Sequence, residues 1–199
     1  MESVASSVRA EVAASPMRSF LSASDFDGSA RAVESELSRL VAKGELTRVR
    51  KGLYWKGPKT ALGMVPPRPL AVALQVGGPG SGPAGFTAAS VMGLTTQVPA
   101  TVEVAVPGCL PVAPPGVRFT LRHPSRRDLG LSVDEVALVE VLRDWPGTVE
   151  SPWDELVDRV KELIDRGTVR PEHVAAEVKE AHRPALREGW RRLELALGA

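Results

Sequence analysis

The chain holds few of the residues from which most catalytic and metal centres are built. There is one cysteine in 199 residues, Cys109, so no internal disulfide forms and a reducing compartment suits the chain. The three histidines, His123, His173 and His182, show neither HxxxH nor HxH spacing, and Cys109 has no partner cysteine, which sets aside a zinc site. No GxSxG elbow marks a nucleophile. The carboxylates stand at helical spacing with Lys or Arg, a pattern of surface pairs rather than acid–base dyads. No apolar run approaches the ~18 residues of a membrane span. The opening MESVASSVRAEV has neither the basic start nor the apolar core of a secretory signal. Together these absences give the expectation of a cytoplasmic protein that is not an enzyme and uses no cofactor. Cys109 beside Gly108 keeps two readings, a reactive thiol or a small, partly buried loop residue.

What is present is the balance of a folded chain, 43% hydrophobic and 25% charged residues. This length fits one large domain or two small ones. The net charge of +1 argues for nothing, but its distribution is uneven. Residues 1–60 hold ten Lys/Arg against seven acids, a balance of +3, and residues 61–199 hold 15 against 17, a balance of −2. From Arg39 to Lys59 seven basic residues meet one acid, Glu45, giving +6 within 21 residues. That is a candidate phosphate footprint. The alternative is a solvated surface hairpin.

Val4, Val8 and Val12 recur every fourth residue and predict an amphipathic helix over Ser3–Ala14, ended by Ser15-Pro16. MRSFL is a short apolar patch. Ser22 or Ser24 caps a turn or two containing Asp25 and Phe26, and Ser29 caps the next helix. That helix, Ala30–Lys43, places Ala30, Val33, Leu37, Leu40 and Val41 on one face. Arg31, Ser35 and Arg39 lie one turn apart on another, where Arg reads guanine bidentately and Ser bonds bases or phosphates. Glu34 and Glu36 count against a uniform DNA-facing surface; they fit the helix edge or pairs such as Glu36–Arg39. Gly44 suits a left-handed helix end. ELTRVRKGLYWKG then reads as two short strands around a Lys51-Gly52 turn; Leu46 breaks the alternation with Val49, so the first strand starts late or carries a bulge. Its tip presents Arg50 and Lys51, flanked by Arg48 and Lys56, to phosphate or a minor groove. Helix, short helix, amphipathic helix and basic hairpin follow the order of a winged helix-turn-helix.

The run LSRLVAKGELTRVRKGLYWKG resembles the N-terminal winged-helix domain of the AbiEi family, the antitoxins of AbiE-type (type IV) bacterial toxin–antitoxin pairs. Members carry a helix ending in L–G–L and then an R–R–G–Y hairpin; the matching positions are Leu40, Gly44, Leu46, Arg48, Arg50, Gly52 and Tyr54. FTAASVMGLTTQVPATVEVAVPG is similar to the start of the family's C-terminal domain, and with the helical C-terminus the resemblance covers most of the chain. It implies an autorepressor that binds double-stranded operator DNA in its own promoter. It also implies a cognate nucleotidyltransferase toxin, counteracted with or without direct contact.

The four prolines of Pro58–Pro69 mark a linker or domain seam. Leu70–Val76 fits a helix or a strand, and the resemblance favours a helix. Gly80, Gly82 and Gly85 match the letters of a dinucleotide fingerprint, with Glu103 downstream. Pro83 removes an N–H where amides should cradle pyrophosphate, so a flexible loop before a Phe86–Gly93 helix is preferred. Thr101–Val106 and Val117–Leu121 read as strands. Arg122, His123, Arg126 and Arg127 form a second basic cluster, either a contact for DNA or an acidic partner or a solvated loop. Four helices follow: Ser132–Asp144, amphipathic with a Ser132–Glu135 capping box; Trp153–Arg166; His173–His182, introduced by Pro171; and Pro184–Leu197.

The expected fold is α+β and mostly helical: a winged helix-turn-helix over 1–60, then a C-terminal antitoxin domain over 61–199 built from a small β element and several helices. The candidate DNA-binding residues are Ser29, Arg31, Ser35, Arg39, Arg48, Arg50, Lys51, Tyr54 and Lys56. Two other functions compete, a stand-alone winged-helix regulator with a ligand-sensing or dimerising C-terminal domain, and a nucleotide-binding enzyme using the glycine-rich loop.

Overall fold

Val8 and Val12, one turn apart, are both buried and pin helix α1 (Val4–Ala14), which Ser3 caps, against helix α2 (Ala30–Ala42). The structure, a computed structural model, describes residues 3–198 and is α+β, with eight α-helices and three small sheets. Its compact units divide between Arg68 and Pro69. Among the described residues no helix is long and apolar enough to cross a membrane.

In the first unit the MRSFL patch is not merely apolar. It contains strand β1 (Ser19–Ser22), which pairs antiparallel with the hairpin strand β3 (Leu53–Lys56). β3 is therefore central, flanked by β1 and by β2 (Thr47–Arg50). Between β1 and α2 lies a 3-10 turn, Ala23–Asp25, with a Ser22–Asp25 capping box. Alternation along the strands sorts the sheet into two faces. Leu21 and Tyr54 are register partners and face the core that holds Val33, Leu37, Leu40 and Leu46. Phe20, Thr47 and Trp55 take the other face, with the Phe20 and Trp55 rings 4.8 Å apart.

That second face explains where the unit ends. The residues after Gly57 fold back as a small hairpin, β4 (Lys59–Thr60) and β5 (Gly63–Met64). Trp55 Nε1 donates to Val65 O at 2.9 Å, and Met64 Sδ accepts from Thr47 Oγ1 at 3.3 Å and Gly57 N at 3.2 Å. The proline-rich stretch Pro58–Pro69, read as a linker or domain seam, thus belongs to the first unit up to Arg68, eight residues beyond the expected boundary at residue 60.

The second unit opens with α3 (Pro69–Gly77) and then β6 (Gly82–Pro83), α4 (Gly85–Val91), β7 (Val102–Pro107) and β8 (Val117–Arg122). The sheet order is β6-β7-β8, antiparallel at β6 and parallel between β7 and β8. The glycine-rich stretch is not a flexible loop: residues 80–84 are all buried. A Cβ at Gly80 would lie 2.9 Å from the Arg126 carbonyl oxygen, and one at Gly82 would collide with Val136. These glycines are required for close packing, which leaves no open cradle for phosphate.

Helix α5 (Val133–Asp144) is the centre of this unit. Every residue from Glu135 to Leu142 is buried, so the helix has no solvated face and the amphipathic reading fails. α4, α6 (Trp153–Asp165), α7 (Pro171–Glu180) and α8 (Pro184–Leu197) supply the rest of the core, including Leu156, Val160, Val174, Leu186 and Leu193. A helix enclosed on all sides must find partners for its charged residues. Glu135 bonds the Ser132 N–H in the capping box and also takes the Arg170 backbone N–H and guanidinium, all at 2.7–2.8 Å. Glu140 accepts Arg122 Nε at 2.9 Å and Nη2 at 2.5 Å, and Arg126 Nη2 at 3.0 Å. Arg126, in a 3-10 turn (Pro124–Arg127), is 0% exposed and also bonds Glu177 at 2.7 and 2.9 Å. The basic cluster is therefore no solvated loop: Arg122 and Arg126 are internal fasteners, while His123 and Arg127 remain exposed. Cys109 is exposed, contrary to the partly buried reading.

Candidate nucleic-acid interface

Ser29 Oγ accepts the Ala32 N–H and starts α2, and Gly44, at φ 67, ends it in the left-handed region open to glycine. Between them Val33, Leu37 and Leu40 fix the helix on the core and leave Arg31, Glu34, Ser35, Ser38 and Arg39 exposed. The hairpin follows. Gly52, at φ 75, makes its turn; the first strand starts late, at Thr47, and also carries a bulge, where the register shifts between Arg48 and Arg50. Leu46 is buried in the core ahead of the strand.

The nine candidate residues separate by environment. Ser29, Arg31, Ser35, Arg39, Arg48, Arg50 and Lys51 are exposed. Tyr54 is 1% exposed within the core and reaches no external ligand. Lys56 donates all its ammonium hydrogens to the carbonyls of Val12 at 2.6 Å, Ala13 at 2.9 Å and Ser15 at 2.6 Å. It closes the C-terminal end of α1, where the helix dipole favours a cation. Both leave the DNA-facing set. The sequence pattern misplaced them because β3 looks like an outer hairpin strand until β1 is known to cover it.

Glu36 is the residue whose full role escaped the sequence. It is 2% exposed, and it bonds Arg39 at 3.1 Å and Arg9 of α1 at 2.9 Å. Burial opposes its ionisation, but the hydrogen bonds and charges of Arg9 and Arg39 outweigh burial and hold its carboxyl below the ordinary range. The Arg39 pairing follows from i, i+3 spacing; the contact with Arg9, 27 residues away, has no local signal. Arg9 and Arg39 remain 49% and 66% exposed. Those two are the ion pairs of this unit among the described residues, so Arg31, Arg48, Arg50 and Lys51 carry unpaired charge into solvent.

No family model matches the chain, and no curated protein matches its sequence. Among solved structures it is similar to the one titled "Crystal structure of RV2827C protein from Mycobacterium tuberculosis", with 17% identity and a TM-score of 0.45. That similarity covers 96% of this chain and 74% of the other.

Proposed function

We propose that the first unit is a winged helix-turn-helix reader of double-stranded operator DNA, with α2 in the major groove and the β2–β3 turn on phosphate or in the minor groove. On this reading the chain is an antitoxin of an AbiE-like type IV system, represses its own promoter, and counteracts a nucleotidyltransferase toxin. The observation that carries the DNA reading is the unpaired, exposed charge of Arg31, Arg48, Arg50 and Lys51 on a helix and hairpin of one small unit. A fold needing those residues only for stability would pair or bury them, as it does Lys56. The antitoxin assignment draws on the family resemblance of residues 37–57 and 86–108.

Two experiments test the two halves of the reading. Promoter DNA is titrated at several salt concentrations with the wild type and with R48A/R50A/K51A. Three lost phosphate contacts reduce the slope of log K against log salt by roughly three. An unchanged slope removes the hairpin from the mechanism. Co-expression with the adjacent toxin gene, with and without residues 1–68, asks whether rescue of growth needs the DNA reader. Absence of rescue by the full chain leaves the second reading, a stand-alone regulator whose C-terminal unit senses a ligand. A pocket of about 550 Å³ in that unit, lined by Arg122, Arg143, Glu177 and Arg183 among others, favours this alternative.

A further inference from the structure

Strand β8 is the outermost strand of its sheet, with β7 on one side and no strand on the other. Its backbone groups alternate between the two sides. Val102 N donates to Gly116 O and Gly108 N to Arg122 O, and the register with β7 is unbroken between them. Arg118, Thr120 and Arg122 therefore turn their N–H and C=O groups toward β7, and Val117, Phe119 and Leu121 turn theirs outward. Two of the outward groups are occupied. Val117 N donates to Pro114 O at 3.1 Å, and Leu121 O accepts Arg122 Nη1 at 3.0 Å. Among the described residues Val117 O, Phe119 N, Phe119 O and Leu121 N have no partner.

An open edge is normally guarded by proline, a bulge or an unpaired charge. β8 has neither proline nor bulge. Both of its arginines are tied back, Arg118 to Glu103 of β7 and Arg122 to Glu140 of α5. Val117 and Phe119 are partly buried in the cluster that holds Ala73 of α3 with Val104 and Val106, and Leu121, on the same face, is 49% exposed. The edge is thus unguarded and its outer apolar residue is uncovered.

We propose that a second copy of this chain pairs with β8, strand to strand and antiparallel, about a twofold axis at Phe119. In that register Phe119 faces Phe119 of the other copy, and Val117 faces Leu121. Phe119 N bonds Phe119 O and Leu121 N bonds Val117 O, each in both directions, which satisfies every free group. The occupied pair, Val117 N and Leu121 O, face each other. Neighbouring registers do worse. An axis at Arg118 sets the two Arg118 side chains directly opposite and calls on the occupied Val117 N; an axis at Thr120 calls on the occupied Leu121 O. An unrelated strand would meet both occupied groups with free ones of its own, and this selects a second copy. With the axis at Phe119, Arg118 lies opposite Thr120, and the diagonal Arg118 pair is balanced by the Glu103 beside each. This pairing stands on the second unit alone and does not rest on the DNA or antitoxin reading.

The test is sedimentation velocity of the full chain over a range of concentrations, with Leu121→Pro and Leu121→Lys. The wild type forms a dimer as concentration rises. Proline deletes an N–H that points away from β7, and symmetry removes that bond twice, so dimerisation weakens at least about tenfold. Lysine at this half-exposed position guards the edge with an unpaired charge and weakens the dimer as well. Both variants keep the wild-type circular dichroism; should proline disturb β8, lysine carries the test. Amide exchange followed by NMR reads the register: Phe119 and Leu121 exchange fast in dilute protein and slow as the dimer forms, while Thr120, bonded to β7, is protected throughout. A wild type that stays monomeric at its highest soluble concentration overturns the proposal. So does a dimer that persists undiminished in Leu121→Lys, or one in which Phe119 and Leu121 still exchange fast.

Discussion

In the first unit Glu36 is buried and bonds Arg9 and Arg39, whose side chains stay 49% and 66% exposed; in the second Glu140 is buried and bonds Arg122 and Arg126, whose side chains are 17% and 0% exposed. The ingredients are alike and the outcomes differ. A glutamate at the edge of a small core, reached by long side chains from two helices, holds its arginines at the surface with their charge still on offer. A glutamate in the middle of an enclosed helix draws its arginines inward, where they fasten elements together and leave little of their charge at the surface. Basic residues are therefore informative about nucleic acid only once it is known which way their partners pull them. The cluster at 122–127 and the cluster at 48–51 look similar in sequence, yet they belong to opposite cases.

The comparison breaks most visibly under truncation. Arg126→Ala strips a partner from Glu140 and from Glu177 and is expected to destabilise the second unit by about 3–5 kcal/mol, the cost of an uncompensated buried charge. Arg9→Ala, which removes a half-exposed partner, should cost about 1 kcal/mol or less. Urea unfolding followed by the fluorescence of Trp145, Trp153 and Trp190, in a Trp55→Phe background, reports the first; Trp55 alone reports the second. Similar losses in the two units would erase the distinction.

Acid should act along the same line. Glu36, Glu135 and Glu140 all have carboxyls held below their ordinary range: burial opposes ionisation in each, and arginine hydrogen bonds overcome it. For a depressed carboxyl the stabilisation is fully present above the unfolded value, near ~4.3, and disappears as pH falls through the lower folded value. The stability gap between wild type and Glu140→Gln should therefore be constant above about pH 5 and close below about pH 4. Melting temperatures of both proteins from pH 7 to pH 2 check it; a gap that widens on acidification would contradict the sign.

A smaller effect separates two lysines five residues apart. Lys56→Ala should destabilise the first unit by about 1.5–3 kcal/mol, since it leaves three carbonyls at the end of α1 without their cation, and should leave the salt slope of DNA binding unchanged. Lys51→Ala should do the reverse, with stability within about 0.5 kcal/mol and a slope lower by about one. Paired urea and salt titrations of the two variants decide the matter. Crossed results would move Lys56 back to the interface.

How far the sequence carried each of these assignments follows from the range of the interactions. Helices α1 and α2, the Ser29 and Ser132 caps, the Lys51-Gly52 turn and strands β7 and β8 rest on local spacing and were legible. Strand β1 was not, because four residues acquire strand character only by pairing with β3 more than thirty positions away. The same missing strand put Tyr54 and Lys56 on the wrong side. The buried run at 80–84 misled through its glycines, which mean looseness in a loop and close approach in a packed layer, and only Arg126 and Val136 tell the two apart. Helix α5 read as amphipathic, with Glu135 correctly placed in its capping box, since nothing local reveals that the helix is enclosed on all sides.

Ser29 gives the smallest expected effect and the sharpest division between holding the fold and meeting a ligand, for its hydroxyl caps α2 while standing exposed at that helix's N-terminus. Ser29→Ala should destabilise the first unit by about 1 kcal/mol through loss of the cap. Ser29→Asp keeps a good cap, and its negative charge suits the positive end of the helix dipole, so stability should be retained or slightly raised. If that end of α2 meets a phosphate, the same charge should repel it, and operator affinity should fall in Asp although it folds as well as Ser. Urea midpoints and operator titrations of the three proteins make the comparison. Were affinity to follow stability across Ser, Ala and Asp, Ser29 would be a cap and nothing more, and the reading surface of α2 would begin at Arg31.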